Sequence, residues 1–155
     1  MNAIRSTRGF SLVEMLIAVL VLGMVIAFSV PAFQSFNNTN RLHGATENLA
    51  ANMRVLREKA MATGQCQTLH FTMNFPGSTG WDYHVHNGGV TSPGWALPNG
   101  ITYWSVGIHP VFRKDGRVFT DCNGTTAMSG SVVLRNGRGE RDTVAVLSSG
   151  MIVVQ

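Results

Sequence analysis

The sequence predicts an α+β fold, a long N-terminal helix packed on a C-terminal antiparallel β-sheet domain. Three observations predict it. An uncharged apolar block runs from Met15 to Phe33. A stripe of apolar residues at helical steps follows, as far as Ala60. Beyond Gln65 the chain changes to short strand-like runs separated by Gly and Pro. The 155 residues suit one domain plus an extension. With 45% hydrophobic and 13% charged residues, the composition excludes a disordered chain.

The first element decides where the protein sits. Residues 1–9, MNAIRSTRG, are polar and basic. The 19 residues Met15 to Phe33 carry no charge. As a helix they cover about 30 Å, the thickness of a hydrocarbon core. Arg5 and Arg8 hold the N-terminus on the cytoplasmic side, which puts the C-terminal domain outside. These two arginines also inflate the formal charge of +4; without residues 1–9, ten Lys/Arg oppose eight Asp/Glu. Such an excess does not imply nucleic acid. A signal peptide shares the basic start and apolar core. Here the block is too long, runs directly into an amphipathic pattern, and lacks a small-x-small cleavage site. A plain signal anchor is the other alternative.

The junction Arg8-Gly9-Phe10-Ser11-Leu12-Val13-Glu14-Met15-Leu16 separates these readings. A carboxylate inside an apolar segment is costly and reads as functional. The junction resembles the prepilin leader of type IV pilins and type II secretion pseudopilins: a basic leader ending in Gly, then Phe, then an apolar run with Glu at the fifth mature position. The resemblance implies a pilin-like fold, cleavage between Gly9 and Phe10, and N-methylation of Phe10 by a prepilin peptidase/N-methyltransferase. The apolar segment is then kept. The partners implied are other pilins or pseudopilins, an inner-membrane assembly platform and membrane lipid. Glu14 needs a cation, and the new amino group on Phe10 of a neighbouring subunit supplies one. The alternative is a Glu14 that snorkels to the cytoplasmic interface. Gly23 and Pro31 interrupt the helix interior; Pro31 removes a backbone hydrogen bond and should kink the helix. In the family, a proline there marks where the helix bends or melts as subunits leave the membrane; a static kink is the alternative here.

The second half of the helix is one-sided. Phe36, Leu42, Ala45, Leu49, Met53, Leu56 and Ala60 form one apolar stripe. Arg41, Glu47, Arg54, Arg57 and Glu58 fall largely outside it, and the spacing lets Arg54 pair with Glu58. The stripe is read as core against a sheet, with a partner-helix groove as the alternative. Gly64 is the expected stop, with Lys59 in the last turn. The expected organisation is a leader over 1–9, a transmembrane and assembly helix over 10–33, an amphipathic half over 34–64, and a periplasmic antiparallel β-sheet domain over 65–155.

Strands are expected at Cys66–Phe75, Tyr83–His86, Ile101–Val106, Val111–Phe112, Ser131–Arg135, Thr143–Leu147 and Met151–Val154. The last three read as an antiparallel meander. Pro93, Pro98 and Pro110 are read as loop markers. The turn Phe112-Arg113-Lys114-Asp115-Gly116-Arg117, followed by that meander, is similar to the GspH/FimT family of H-type pseudopilins and FimU- and FimT-type minor pilins. Its aromatic-x-x-Asp-Gly turn matches Phe112, Asp115 and Gly116. The resemblance implies a minor subunit at the tip or initiation complex of a type IV pilus or a type II secretion pseudopilus.

The remaining constellations are weaker. Cys66 and Cys122 belong to no CxxC or Cys/His cluster. Outside the cytoplasm they can form a disulfide; otherwise they are two buried thiols. His84 and His86 share a strand face, but spacing sets no third ligand, so no metal is expected. Trp81, Trp95, Tyr103 and Trp104 are read as packing over a small core, with a binding surface as the alternative. The FimT branch binds DNA through a Gly-Arg-x-Arg element; the matching stretch, Gly150-Met151-Ile152-Val153, has no arginine. Arg135, Arg138 and Arg141 are the candidate DNA contacts, but Glu140 and Asp142 lie among them, so solvated hairpin charge is the preferred reading. No catalytic motif is present, and neither an enzyme nor a cofactor is expected. Asp82, Asp115 and Asp121 are read as turn formers.

Overall fold

The computed structural model describes residues 10–71, 81–87 and 90–155. One helix, α1, runs from Leu12 to Thr63. The described chain divides into two compact units, one ending at Asn37 and one beginning at Asn38. The first is the front of α1. Its apolar side chains from Phe10 to Val30, and Phe33 and Phe36, are exposed on every side. The helix continues through Pro31.

The second unit begins with the rear of α1 and continues through nine strands. α1 stops at Gly64, whose φ of 70° is the left-handed conformation that ends helices. Lys59 lies just before the last turn, which has no basic residue. Thr63 donates its hydroxyl to the Lys59 carbonyl at 2.7 Å, closing that turn.

β1 (Gln67–Phe71), β2 (Tyr83–Asn87), β3 (Val90–Trp95), β5 (Val111–Phe112) and β6 (Val118–Phe119) form a five-stranded sheet in the order β3-β2-β1-β5-β6. β4 (Ile101–Val106), β7 (Gly130–Asn136), β8 (Arg141–Val146) and β9 (Ile152–Val154) form a second sheet in the order β4-β7-β8-β9. Every pairing is antiparallel. The expected meander is β7-β8-β9, and β4 adds to its free edge. Two sheets stand where one was expected. β5 returns to pair with β1 rather than with β4, so the chain changes sheet after Val106.

Two strands escaped the sequence reading. β3 contains Pro93, read as a loop marker; it is the edge of its sheet, where a missing N–H is tolerated. β6 is two residues long, as β5 is, and is a strand only because the Asp115-Gly116 turn folds it back on β5. The expected strand extension over residues 72–75 lies outside the described residues.

Burial follows strand period. In β1, Gln67, Leu69 and Phe71 face inward while Thr68 and His70 face out. In β7, Val132, Leu134 and Asn136 are the buried set. These faces meet the helix stripe of Leu42, Ala45, Leu49, Met53, Leu56 and Ala60. Leu49 and Met53 are fully buried, and truncation of either to Ala costs about 2–5 kcal/mol. The stripe is therefore core rather than a partner groove. Phe36, read as its first member, is 66% exposed and belongs to the first unit. Thr46 joins the buried face because its hydroxyl donates to the Leu42 carbonyl at 3.0 Å.

Polar contacts flank the stripe. Arg41 donates to the Asn99 carbonyl at 2.7 Å, and Asn52 to the Tyr83 hydroxyl at 2.9 Å. Arg57 donates to the Gly116 carbonyl at 2.9 Å. Arg54 pairs with Glu47 at 3.8 Å, not with Glu58, and bends toward the Ile152 carbonyl. Seven residues are two helical turns, so that pair also lies along one face.

Candidate functional site

The candidate site is the front of α1. Ser11 stands just ahead of the helix, and its carbonyl accepts the first helical bond from Met15 N at 3.2 Å. The Glu14 carboxylate reaches back and accepts the Ser11 N–H at 3.2 Å. This is half of a capping box, with Ser11 as the cap and Glu14 three positions in. The Ser-x-x-Glu spacing was visible in the sequence and was missed there. Glu14 also lies in the helix's first turn, where the dipole favours a negative charge. The carboxylate thus has a local use in the single chain besides any use between chains.

Phe10 is 78% exposed. Beyond it, Leu12, Val13, Met15, Leu16, Ile17, Val19 and Leu20 cover the whole circumference. A helix apolar all round suits lipid or other helices, not water. α1 is long and apolar enough to cross a membrane, and its most apolar window is entirely unburied. Ser29, polar within that stretch, donates its hydroxyl to the Val25 carbonyl at 2.7 Å.

Residues 4–30 match the prokaryotic N-terminal methylation motif. That stretch contains Gly9, Phe10 and Glu14; Gly9 itself lies outside the described residues. The motif indicates a type IV pilin-like protein, one that is processed by prepilin peptidase and assembles with other pilins. No curated protein and no solved structure matches the chain.

The other candidates occupy the second unit. Cys66, just ahead of β1, and Cys122, beyond β6, are joined as a disulfide with Cα atoms 5.7 Å apart. It ties the helix-to-sheet junction to the far edge of the five-stranded sheet.

Two of the three hairpin arginines come together. Arg135 and Arg141 are cross-strand partners, and their guanidinium groups lie 5.2 and 3.7 Å from the centre of the Trp104 ring. Arg138 is separate, at the β7–β8 turn, where its N–H donates to Asn136 Oδ1. Glu140 is held at the same turn by Asn136 Nδ2 and by the Thr39 hydroxyl. Asp142 pairs with His43 at 3.0 Å. At the β5–β6 turn, Arg113 and Arg117 both lie over Phe119, at 4.4 and 5.4 Å, and Arg113 donates to the Gly124 carbonyl. Gly116 has φ 74° there, and the Asp115 carboxylate accepts the Arg117 N–H, which explains the Asp-Gly pair.

The four aromatics do not form one patch. Trp95 stacks on Tyr83 at 5.3 Å, and the Tyr103 hydroxyl donates to the Asp82 carbonyl. Tyr103 and Trp104 are both on β4 of the other sheet, where Trp104 is 46% exposed. Asp82 accepts the Leu97 N–H, and Asp121 accepts the Asn123 N–H.

Sheet register adds a gathering that spacing left open. His84 and His86 share the exposed face of β2; His70 lies directly across from His84, and His109 lies beside His70. Burial and the neighbouring imidazoles lower the pKa of His70 and of His84. Among the described residues no three His, Cys, Asp or Glu side chains stand ready to hold a metal.

Proposed function

We propose that this protein is a minor pilin or pseudopilin of the GspH/FimT type. It is cut between Gly9 and Phe10, methylated on Phe10, and built by its front helix into the tip or initiation complex of a type IV pilus or secretion pseudopilus. The observation that carries this reading is the methylation motif lying over the front of a helix whose most apolar window is wholly unburied. Burial of that surface among neighbouring helices supplies packing, and Glu14 facing the Phe10 amine of a neighbour fixes register. Before assembly the segment spans the inner membrane, with the Asn38–Gln155 unit in the periplasm and the assembly platform extracting it from lipid.

Glu14→Gln and Glu14→Val together test the mechanism. Gln keeps the capping bond to the Ser11 N–H but not the charge; Val keeps neither. Both variants should be processed and stay in the membrane, and both should be absent from sheared filaments. Normal incorporation of the Gln variant shows that capping, not charge pairing, is the use of Glu14, and overturns the register argument. Mature protein starting anywhere but Phe10 overturns the whole reading.

A second reading, capture of incoming DNA, is favoured by exposed Trp104 between Arg135 and Arg141. An aromatic face with guanidinium groups suits stacked bases. Gel-shift binding at low salt that weakens on Arg135→Ala and Arg141→Ala supports it; no shift removes it.

A further inference from the structure

Four of the chain's five histidines gather at the exposed face of the five-stranded sheet. Strand period puts His84 and His86 on one side of β2. Antiparallel register places His70 opposite His84 and Thr68 opposite His86, so His70 is diagonal to His86. Ring centres are 4.7 Å apart for His70 and His86, 4.7 Å for His84 and His86, and 5.8 Å for His70 and His84. The Nε2 atoms of His84 and His86 are 2.7 Å apart.

We propose that His70, His84 and His86 form a binding site for one divalent first-row transition metal ion of the Zn²⁺, Ni²⁺ or Cu²⁺ class, with water completing the coordination. Imidazole nitrogen suits these ions, and three histidines plus water is an established zinc ligand set. With metal–nitrogen bonds near 2.0–2.1 Å, tetrahedral ligand nitrogens stand about 3.3 Å apart and their ring centres about 5 Å apart. All three observed ring separations lie within about 1 Å of that value. The donors do not yet converge on one point. Binding therefore requires the side chains to rotate about their own torsions, from three positions that the two hydrogen-bonded strands already set on one face.

The 2.7 Å contact has an ordinary description without metal: one Nε2–H donates to the other ring's lone pair. Metal binding replaces that proton. The donor ring changes tautomer, giving up its Nε2 proton and taking one at Nδ1 so that it stays neutral, and both Nε2 lone pairs then face the ion. His109 is left out of the ligand set. Its Nδ1 accepts the Phe71 N–H at 3.2 Å, which leaves the proton of the neutral ring on Nε2. It flanks His70 at 5.4 Å without a free lone pair to offer. The fifth histidine, His43, pairs with Asp142 on another part of the unit and serves as the internal control.

The test uses the full chain in detergent, purified without a polyhistidine tag and stripped with EDTA. Zn²⁺ is titrated in competition with a chromophoric chelator. One ion per chain at micromolar or tighter affinity is expected. His86→Gln should weaken binding at least about tenfold, and His43→Gln should leave it unchanged. Electron paramagnetic resonance of the Cu²⁺-loaded protein should show imidazole nitrogen couplings that His84→Gln/His86→Gln removes. All of these positions are at least partly exposed, so the variants fold. Affinity weaker than millimolar, or binding that the double variant leaves intact, overturns the site.

Discussion

Breaking the Cys66–Cys122 bond should lower the stability of the Asn38–Gln155 unit by roughly 4 kcal/mol. The two cysteines are 56 positions apart, so the reduced chain regains the freedom of a long loop. In the chain-entropy model a loop of that length contributes about 4 kcal/mol at 25 °C. The unit has roughly 120 residues, with an unfolding entropy near 0.25 kcal/mol/K, which converts the loss into a fall in Tm of about 15 °C. The assay is thermal unfolding of the full chain in detergent, followed by near-ultraviolet circular dichroism with and without reductant. Cys66→Ala/Cys122→Ala should reproduce the reduced curve. A fall of only a degree or two would falsify the loop argument. Free thiols in protein taken from the membrane would also place the unit in a reducing compartment, against the periplasmic assignment.

Three further outcomes check the packing. Gly150 has φ 85°, and a Cβ there would collide with the Gly116 carbonyl and the Arg57 side chain. Gly150→Ala should therefore destabilise by about 2–4 kcal/mol, whereas Gly44→Ala, on open helix surface, should stabilise by about 1 kcal/mol; denaturant midpoints read both. Gln67 is fully buried, with no side-chain hydrogen-bond partner among the described residues, so Gln67→Leu should raise stability by about 1–3 kcal/mol; a lower denaturant midpoint refutes this. The chain's two tyrosines, Tyr83 and Tyr103, both have pKa values raised above 10.0, first by burial. The folded state then keeps protons that the unfolded state gives up, so this stability is whole below pH 10 and is lost as pH rises past it. Tyrosinate absorbance should stay low at pH 10 in the native protein and appear normally in guanidinium; a native midpoint of 10 contradicts the burial.

The fold class and most strand positions were legible because each rests on local chemistry. The helix stripe, the alternation in β1 and the Gly64 stop are all patterns within a few residues. Ile101–Val106 and Val111–Phe112 are strands at their expected bounds. What the sequence hid is non-local. Nothing in Val111–Phe112 says that it will leave β4 and pair with β1, so the division into two sheets was invisible. The same holds for Arg135 and Arg141 meeting over Trp104, and for His70 meeting His84. In each case register across a turn, not spacing along the chain, makes the neighbours. The Ser11–Glu14 bond was the opposite case, a local signal overlooked because Glu14 was read only as a membrane anomaly.

That bond changes what Glu14 costs before assembly. A carboxylate in an apolar segment is destabilising when bare, but here it accepts an N–H at the helix end, where the dipole also favours it. The acid is thus tolerable in a single subunit near the cytoplasmic interface. In the proposed filament, a neighbour's amine would meet a carboxylate that already accepts the Ser11 N–H through one oxygen and has its second oxygen to offer, rather than rescue an orphan. In the proposed assembly the exposed apolar side chains around it, from Phe10 to Val30 and at Phe33 and Phe36, would carry most of the packing energy, with Glu14 choosing the register in which they pack.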